Sequence, residues 1–153
     1  MWNAVLVYYL KFLKHNIMKK GVIIIFGKND LTISKNLSFK SSFSKKVKIC
    51  LVNNGNDTKG LNFLYKLKES SKCDVSILNL RKEKESMLAV KAGVRFLTNT
   101  EDINIFVYAN PKNILDKNLI KKILKISDED LENKDDERVL LRRVYSFDEL
   151  INC

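Results

Sequence analysis

The sequence predicts an α/β protein with a Rossmann-like, mostly parallel sheet and helices on both faces. Short apolar runs rich in Val and Ile recur along the chain, and each is followed by a longer segment with helical spacing of its apolar residues. This alternation is typical of β-α units, in which each helix returns the chain to the same end of the sheet. The length of 153 residues, 45% of them hydrophobic and 30% charged, suits one domain with its own core.

The first predicted strand, residues 22–26, is continuously apolar and flanked by Gly21 and Gly27, which is typical of a strand buried on both faces. Further strands are expected at 47–52, 75–80 and 103–108. Helices are expected at 30–43, 59–69, 83–97 and 113–126. Gly93 would allow the third helix to approach the sheet closely, since it has no side chain. Residues 138–147 fit an edge strand or a helix, and their pattern does not decide between the two.

The predicted organisation has three parts: an N-terminal arm or apolar helix (1–17), the α/β domain (18–126), and an acidic segment with a C-terminal element (127–153). The apolar run from Trp2 to Leu10 is too short to span a bilayer. It also lacks the charged start and the cleavage site of a secretory signal. Two interpretations remain: a helix that lies on a membrane surface, or a frayed arm that precedes a natural start at Met18.

The basic charge is concentrated in the first two-thirds of the chain. Residues 1–100 hold 19 basic and 6 acidic side chains, residues 101–153 hold 9 and 12, and the formal net charge is +10. Nucleic acid and anionic membranes are therefore the first partners to consider. Nucleic acid is disfavoured because only five of the 28 basic residues are Arg and the lysines are scattered. Three widely spaced cysteines indicate a reducing, cytoplasmic compartment, with attachment to the inner face of the membrane as an extension.

A ligand site is expected where the carboxyl ends of the strands meet, because ligands of open parallel sheets bind there. The loops 27–30, 53–58, 80–84 and 108–110 should face one another at that edge. None of them carries a G-x-G-x-x-G, a Walker A loop or a G-x-S-x-G motif. The only histidine, His15, lies in the N-terminal arm, which argues against histidine triads and histidine metal sites.

Four motifs follow one another between Val22 and Asn110, and they carry a resemblance to a known family. They are the loop Phe26-Gly27-Lys28-Asn29, the strand end Val52-Asn53-Asn54-Gly55-Asn56, the helical pair Ala89 and Gly93, and the strand end Tyr108-Ala109-Asn110. In this order the segment resembles the nucleotide-binding half of the family 2 glycosyltransferases, which have the glycosyltransferase A fold. The corresponding family motifs are Pro-Thr-Tyr-Asn, Val-Asp-Asp-Gly-Ser, Ala-x-x-x-Gly and the metal-binding Asp-Ala-Asp.

The resemblance implies a nucleotide diphosphate sugar as donor, a UDP-sugar first of all, and transfer of the sugar with inversion to an acceptor hydroxyl. It implies Mn²⁺ or Mg²⁺ at the Asp-Ala-Asp position, where Asn110 is the remaining candidate ligand. The nucleotide-binding positions that it implies are Gly27, Lys28, Asn29, Asn53, Asn54 and Tyr108.

The sequence departs from the family at these functional positions. Asn53 and Asn54 replace carboxylates, and an amide can still hydrogen-bond a base. Tyr108 and Asn110 replace the metal-binding carboxylates, and an amide oxygen is a weaker ligand for a hard cation. Lysines near the loops could hold phosphates as point charges: Lys28, Lys82 and Lys84. No residue is marked as the catalytic base among the aspartates of the C-terminal part: Asp116, Asp128, Asp130 and Asp148.

Three functions follow from these observations. The first is a glycosyltransferase-like, donor-binding protein, either an active hexosyltransferase that uses a nucleotide diphosphate sugar or a protein that is inactive on its own. The second is a non-catalytic nucleotide-binding or interaction module that assists a full-length transferase. The third is a basic nucleic-acid-binding domain, whose affinity would fall steeply with salt and ignore nucleotide sugars.

Overall fold

The computed structural model describes residues 3–9, 19–28, 30, 46–71, 74–100, 102–114, 119–126, 130–131, 134 and 136–151. The strands are β1 (Lys20–Phe26), β2 (Val47–Asn54), β3 (Asp74–Leu80), β4 (Ile105–Ala109), β5 (Glu137–Val139) and β6 (Arg142–Ser146). The helices are α1 (3–9), α2 (Thr58–Ser70), α3 (Ser86–Thr98), α4 (Pro111–Ile114), α5 (Leu119–Lys125) and α6 (Phe147–Ile151).

The six strands form one mostly parallel sheet in the order β3-β2-β1-β4-β6-β5. Four neighbouring pairs are parallel, and only β5 runs antiparallel, against β6. The chain moves outward from β1 through β2 to β3 and then returns to place β4 on the other side of β1. The α/β class and the mostly parallel sheet predicted from the sequence are therefore confirmed.

Both faces of the sheet are covered, as the apolar first strand predicts. In β1 the side chains of Val22, Ile24 and Phe26 join one core cluster with residues of α2, α5 and α6. Ile23, which points the other way because side chains alternate along a strand, joins a second cluster with α3. Val22, Ile23, Ile24 and Phe26 are fully buried, and Ile25, which packs against the second cluster, is half-buried.

Close approach of α3 to the sheet depends on Gly93, as predicted. A Cβ atom at this position would lie 2.9 Å from Cγ2 of Ile23 in β1. On the opposite face, the buried Lys20 at the start of β1 donates from Nζ to the carbonyls of Ile123 and Ile126. This ammonium group satisfies carbonyls at the C-terminal end of α5, where a positive charge is favourable.

The segment that the pattern left undecided, residues 138–147, forms a β-hairpin and the start of α6. Its two-residue turn, Leu140 and Leu141, has positive φ angles of 50° and 65°. Such angles fit the twist of a tight hairpin but strain a residue with a side chain, so Asn and Gly are usual there. Turn-forming residues are absent from this site, which is why the sequence pattern did not indicate a hairpin.

Some predictions fall on residues that the structure does not describe. Of the helix expected at 30–43 only Asp30 is described. The helix expected at 113–126 corresponds to α4 and α5, and residues 115–118 between them are not described. Within the described part of the chain, no helix has the length and apolar character needed to cross a membrane.

Candidate functional site

A crevice of about 550 Å³ opens where β1 and β4 end side by side. At this point the chain leaves β1 toward β2 on one side, whereas β4 and β6 lie on the other. The loops that follow neighbouring strands diverge at such a switch point and leave a space between them. The crevice is lined by these residues: Ile25, Gly27, Asp30, Asn54, Glu83, Lys84, Glu85, Ser86, Tyr108, Ala109, Asn110, Asn113, Ser146 and Asp148.

Three asparagines at or just after the end of β2 form what we call the β2 rim: Asn53, Asn54 and Asn56, of which Asn54 lines the crevice. The side chain of Asn54 makes two hydrogen bonds of 2.9 Å with the backbone of Lys84, accepting from its N–H and donating to its C=O. Asn56 donates from Nδ2 to the carbonyls of Phe26 and Gly27, at 2.9 and 3.3 Å. These amides therefore tie the end of β2 to the loops after β3 and β1.

Asn53 lies deeper than its neighbours and is fully buried. Its Nδ2 donates to Oδ1 of Asn79 at 2.9 Å and to the carbonyl of Asn56 at 3.4 Å. Its own Oδ1 is buried and has no hydrogen-bond partner among the described residues. Asn53 does not line the crevice, and its contacts hold β2 against the end of β3.

Gly55 allows the loop after β3 to pack against the β2 rim. Its φ angle is +80°, and a Cβ atom there would lie 2.7 Å from the backbone nitrogen of Glu83. The N–H of Gly55 donates to the carbonyl of Leu80 at 3.0 Å. A second contact to the same loop comes from Lys28, whose Nζ lies 3.5 Å from Oε2 of Glu83. The loop 80–85 is thus held from both β1 and β2.

The other side of the crevice, which we call the β4–β6 rim, consists of Tyr108, Asn110, Asn113, Ser146 and Asp148. Oδ1 of Asp148 accepts a hydrogen bond from Nδ2 of Asn113 at 2.8 Å. Oδ1 of Asn113 in turn accepts the backbone N–H of Asn110 at 3.0 Å, and Oδ1 of Asn110 accepts the N–H of Lys112 at 3.0 Å. Asn110 and Asp148 are exposed, so this rim offers polar groups to a ligand.

Tyr108 keeps its phenolic proton at neutral pH. Partial burial raises the pKa of Tyr108 above its ordinary value, and the carboxylates of Glu149, Glu137 and Asp148 raise it further, whereas a hydrogen bond with Ser146 opposes the increase. The hydroxyl in the crevice is therefore neutral and can both donate and accept a hydrogen bond. It cannot replace a carboxylate as a metal ligand of the hard, anionic type.

The crevice is acidic, although the chain as a whole is basic. Among the described residues its lining holds four carboxylates, from Asp30, Glu83, Glu85 and Asp148, and one ammonium group, from Lys84. Three of the carboxylates have partners: Oδ2 of Asp30 accepts the Gly27 N–H at 2.6 Å, Glu83 pairs with Lys28, and Asp148 accepts from Asn113. A free diphosphate would meet a net negative charge here.

These side chains do not form a ready metal centre. Among the described residues, no group of three or more His, Cys, Asp or Glu is placed to hold a metal ion. The oxygen of Asn110 is also engaged by a backbone N–H. The described lining residues therefore do not fit a resident Mn²⁺ or Mg²⁺ held by protein ligands alone, since such an ion takes six ligands in an octahedral arrangement.

The structure brings together most, but not all, of the residues singled out from the sequence. Gly27, Asn54, Tyr108 and Asn110 line the crevice, as does Lys84. Lys28 is not among the lining residues; it lies beside the loop 80–85 and pairs with Glu83. Asn53 is buried behind the crevice, and Asn29 lies outside the described residues. Whether any of them binds a nucleotide stays a prediction.

The sequence did not predict that Ser146 and Asp148 reach the crevice. They do so because β6 lies directly beside β4, a pairing between segments about forty positions apart. Asp148 is one of the four C-terminal aspartates for which the sequence marks no role; Asp116 and Asp128 lie outside the described residues, and Asp130 does not line the crevice. Asn56 and Asn79 do not line the crevice but support it through hydrogen bonds. Their positions near this edge could have been predicted, since each lies at or just after the end of a predicted strand.

Comparison of the chain with protein-family models, with curated proteins and with solved structures gives no match.

Proposed function

We propose that this protein is glycosyltransferase-like and that its crevice binds a nucleotide diphosphate sugar, a UDP-sugar first of all, without transferring the sugar on its own. The single observation that carries the proposal is the position of the crevice. It lies at the carboxyl ends of β1 and β4, and it is lined by loops that carry three of the four family-like motifs. Its volume of about 550 Å³ falls in the range of small-molecule sites.

The polar groups around the crevice suit the neutral parts of such a ligand. Amides, a hydroxyl pair and a carboxylate, at Asn110, Asn113, Tyr108, Ser146 and Asp148, can accept and donate hydrogen bonds to a base, a ribose or a hexose. The diphosphate has fewer partners, because Lys84 is the only cation among the described residues that line the crevice. We therefore expect Mn²⁺ or Mg²⁺ in solution, supplied together with the nucleotide, to strengthen binding of the diphosphate.

The expectation that transfer is lost rests on the same residues. Inverting transfer needs a base for the acceptor hydroxyl and a cation for the leaving diphosphate. Tyr108 and Asn110 supply no carboxylate where the family resemblance implies two. The described residues after Asn110 form α4, α5, β5, β6 and α6, and β5 and β6 extend the sheet to which β1 and β4 belong. We assign none of these residues as the catalytic base for an acceptor.

A second candidate function is a non-catalytic module that assists a full-length transferase. It is favoured by the β2 rim, where the amides that resemble nucleotide-binding positions are used to hold loops. Such a protein would keep the fold and the crevice while binding its partner through another surface. The nucleic-acid alternative predicts binding that is indifferent to nucleotide sugars and falls steeply as salt rises.

The test is calorimetric titration of the full chain with UDP and with a UDP-sugar, each with and without Mn²⁺, at two salt concentrations. We expect metal-dependent binding of both ligands that changes little with salt. Absence of binding under every condition would overturn the donor-site proposal and favour the partner-binding module. Binding of single-stranded RNA that weakens steeply with salt, with no response to UDP, would favour the third function.

A matched pair of variants tests whether the heat measured in the titration comes from a ligand that binds in the crevice. Tyr108→Phe removes a hydroxyl inside the crevice, whereas Tyr65→Phe removes one from the exposed face of α2. We expect the first to weaken UDP-sugar binding about fivefold, the equivalent of one hydrogen bond, and the second to leave it unchanged. Equal effects of the two substitutions would mean that the ligand binds elsewhere.

A further inference from the structure

Helix α1 is the most exposed apolar segment of the described chain. Six of its seven residues, from Ala4 to Tyr9, are apolar or aromatic, and all seven are exposed. Exposed fractions run from 52% for Val7 to 77% for Tyr8. The shallow groove on this helix is lined by its own residues: Ala4, Val5, Tyr8 and Tyr9. Elsewhere in the described residues, the exposed large apolar side chains are Tyr65 and Leu88, which stand singly, and the adjacent pair Leu140 and Leu141.

The apolar side chains of α1 surround the helix axis. Successive residues of a helix are about 100° apart, so the five consecutive residues from Val5 to Tyr9 cover every direction. A helix that docks into a protein groove needs apolar residues on one stripe only. A helix that is apolar on all sides requires surroundings that cover it on all sides, and the acyl chains near a lipid headgroup layer do so. Tyr8 and Tyr9 suit the same layer, since their rings are apolar and their hydroxyls polar.

We propose that α1 inserts into the surface of an anionic lipid bilayer and holds the protein there. Charge favours this occupant: residues 1–100 carry 19 basic and 6 acidic side chains, and an anionic leaflet attracts a chain of this net charge. The helix would lie in the interface, because the apolar run from Trp2 to Leu10 is too short to span a bilayer. This inference is independent of the nucleotide site.

A second copy of the chain is the less suitable occupant of α1. A seven-residue helix is about 10 Å long and about 10–12 Å wide, and a second helix packed beside it covers only one side. Because the apolar side chains of α1 face every direction, dimerisation through α1 alone would leave many of them in water, whereas acyl chains can surround them.

The experiment uses the full chain and unilamellar vesicles, made either of phosphatidylcholine alone or of equal parts phosphatidylcholine and phosphatidylglycerol. Binding is measured by co-sedimentation, and insertion by the fluorescence of Trp2, the only tryptophan in the sequence and adjacent to α1. We expect a blue shift of this fluorescence and co-sedimentation with the anionic vesicles. Both should weaken at high salt, because salt screens the attraction.

Two double variants of the same composition locate the contact. Leu6→Ser with Tyr8→Ser removes two exposed apolar side chains from α1, and Leu88→Ser with Tyr65→Ser removes the same pair from α3 and α2. We expect the first to weaken vesicle binding about tenfold or more and the second to leave it unchanged. Thermal unfolding of both variants verifies that each is folded.

Three results would overturn the proposal: no binding to anionic vesicles, equal effects of the two double variants, or self-association in analytical ultracentrifugation that depends on Leu6 and Tyr8 without vesicle binding. The last would assign α1 to contacts between copies of the chain.

Discussion

The two rims of the crevice use their polar side chains in different ways. On the β2 rim the amides of Asn53, Asn54 and Asn56 are buried or half-buried, and they bond to backbone and side-chain groups of neighbouring loops. On the β4–β6 rim, Asn110 and Asp148 are exposed, and their hydrogen bonds lie at the surface. Burial thus separates side chains that build the site from side chains that can meet a ligand, since a buried polar group must be satisfied within the protein.

This difference has a consequence for recognising sites from sequence. The strand end Val52–Asn56 resembles a nucleotide-binding motif, yet its amides hold the loops after β1 and β3. The β4–β6 rim departs further from the same family and nevertheless contributes more groups to the crevice. We therefore expect substitutions on the β2 rim to change mainly stability, and substitutions on the β4–β6 rim to change mainly ligand affinity.

The largest effect is expected for Gly55→Ala on the β2 rim. The variant places a side chain at a positive φ angle and a Cβ atom within 2.9 Å of the Glu83 backbone. We expect a loss of about 3 kcal/mol in the free energy of unfolding, measured by urea titration. Gly27→Ala is the control, because its Cβ would meet only Oδ2 of Asp30, at 3.2 Å. Equal losses in the two variants would show that the packing of Gly55 is not special.

The next largest effect is expected for Asn54→Asp, which tests the difference between the two rims most directly. The carboxylate could still accept the Lys84 N–H, but it would face the Lys84 carbonyl without a donor. We expect a loss of about 2 kcal/mol in the free energy of unfolding. The same variant restores the carboxylate that the family resemblance implies. Tighter UDP binding at unchanged stability would therefore show that Asn54 belongs to the ligand site.

The dependence of stability on alkaline pH tests the burial of Cys50 in the sheet interior. Burial raises the pKa of the Cys50 thiol from 9.0 to about 12, and Lys48 opposes this only in part. The folded state therefore keeps a proton that the unfolded state loses, so stability is fully present below pH 9 and falls as pH rises toward 12. The slope contributed by Cys50 is at most about 1.4 kcal/mol per pH unit.

The matching variant is Cys50→Ala, whose unfolding free energy should fall less steeply between pH 9 and 12 than that of the wild type. Comparison of slopes removes the constant loss caused by the smaller side chain. Identical slopes in urea titrations across this range would contradict the assignment to Cys50.

The smallest effect on stability is expected for Asp148→Asn on the β4–β6 rim. Asp148 is exposed, so the free energy of unfolding should change by no more than about 0.5 kcal/mol. Removal of one of four crevice carboxylates should strengthen metal-free UDP binding about threefold, because less negative charge opposes the diphosphate. A stability loss comparable to that of Asn54→Asp would contradict the difference between the rims.

The strand positions and the buried sheet could be predicted because they depend on local composition. The run Val22–Phe26 has no polar residue, so burial on both faces of the strand follows directly. Gly93 lies four residues after Ala89, on the same face of the predicted helix, so close packing of that face follows as well. The hairpin at Leu140 and Leu141 could not be predicted, because residues with large side chains hold positive φ angles there. Strand pairing with β4, rather than turn chemistry, imposes that geometry.

The sequence by itself determined the α/β class, the parallel strands and the edge of the sheet at which a crevice opens, since these follow from hydrophobic periodicity and chain direction. Only the tertiary structure decided what fills that edge. Pairing of β6 with β4 brings Ser146 and Asp148 to the crevice, and packing of the loop 80–85 engages the amide of Asn54. Contacts between distant segments leave no local pattern, and they alone determine which polar groups remain accessible to a ligand.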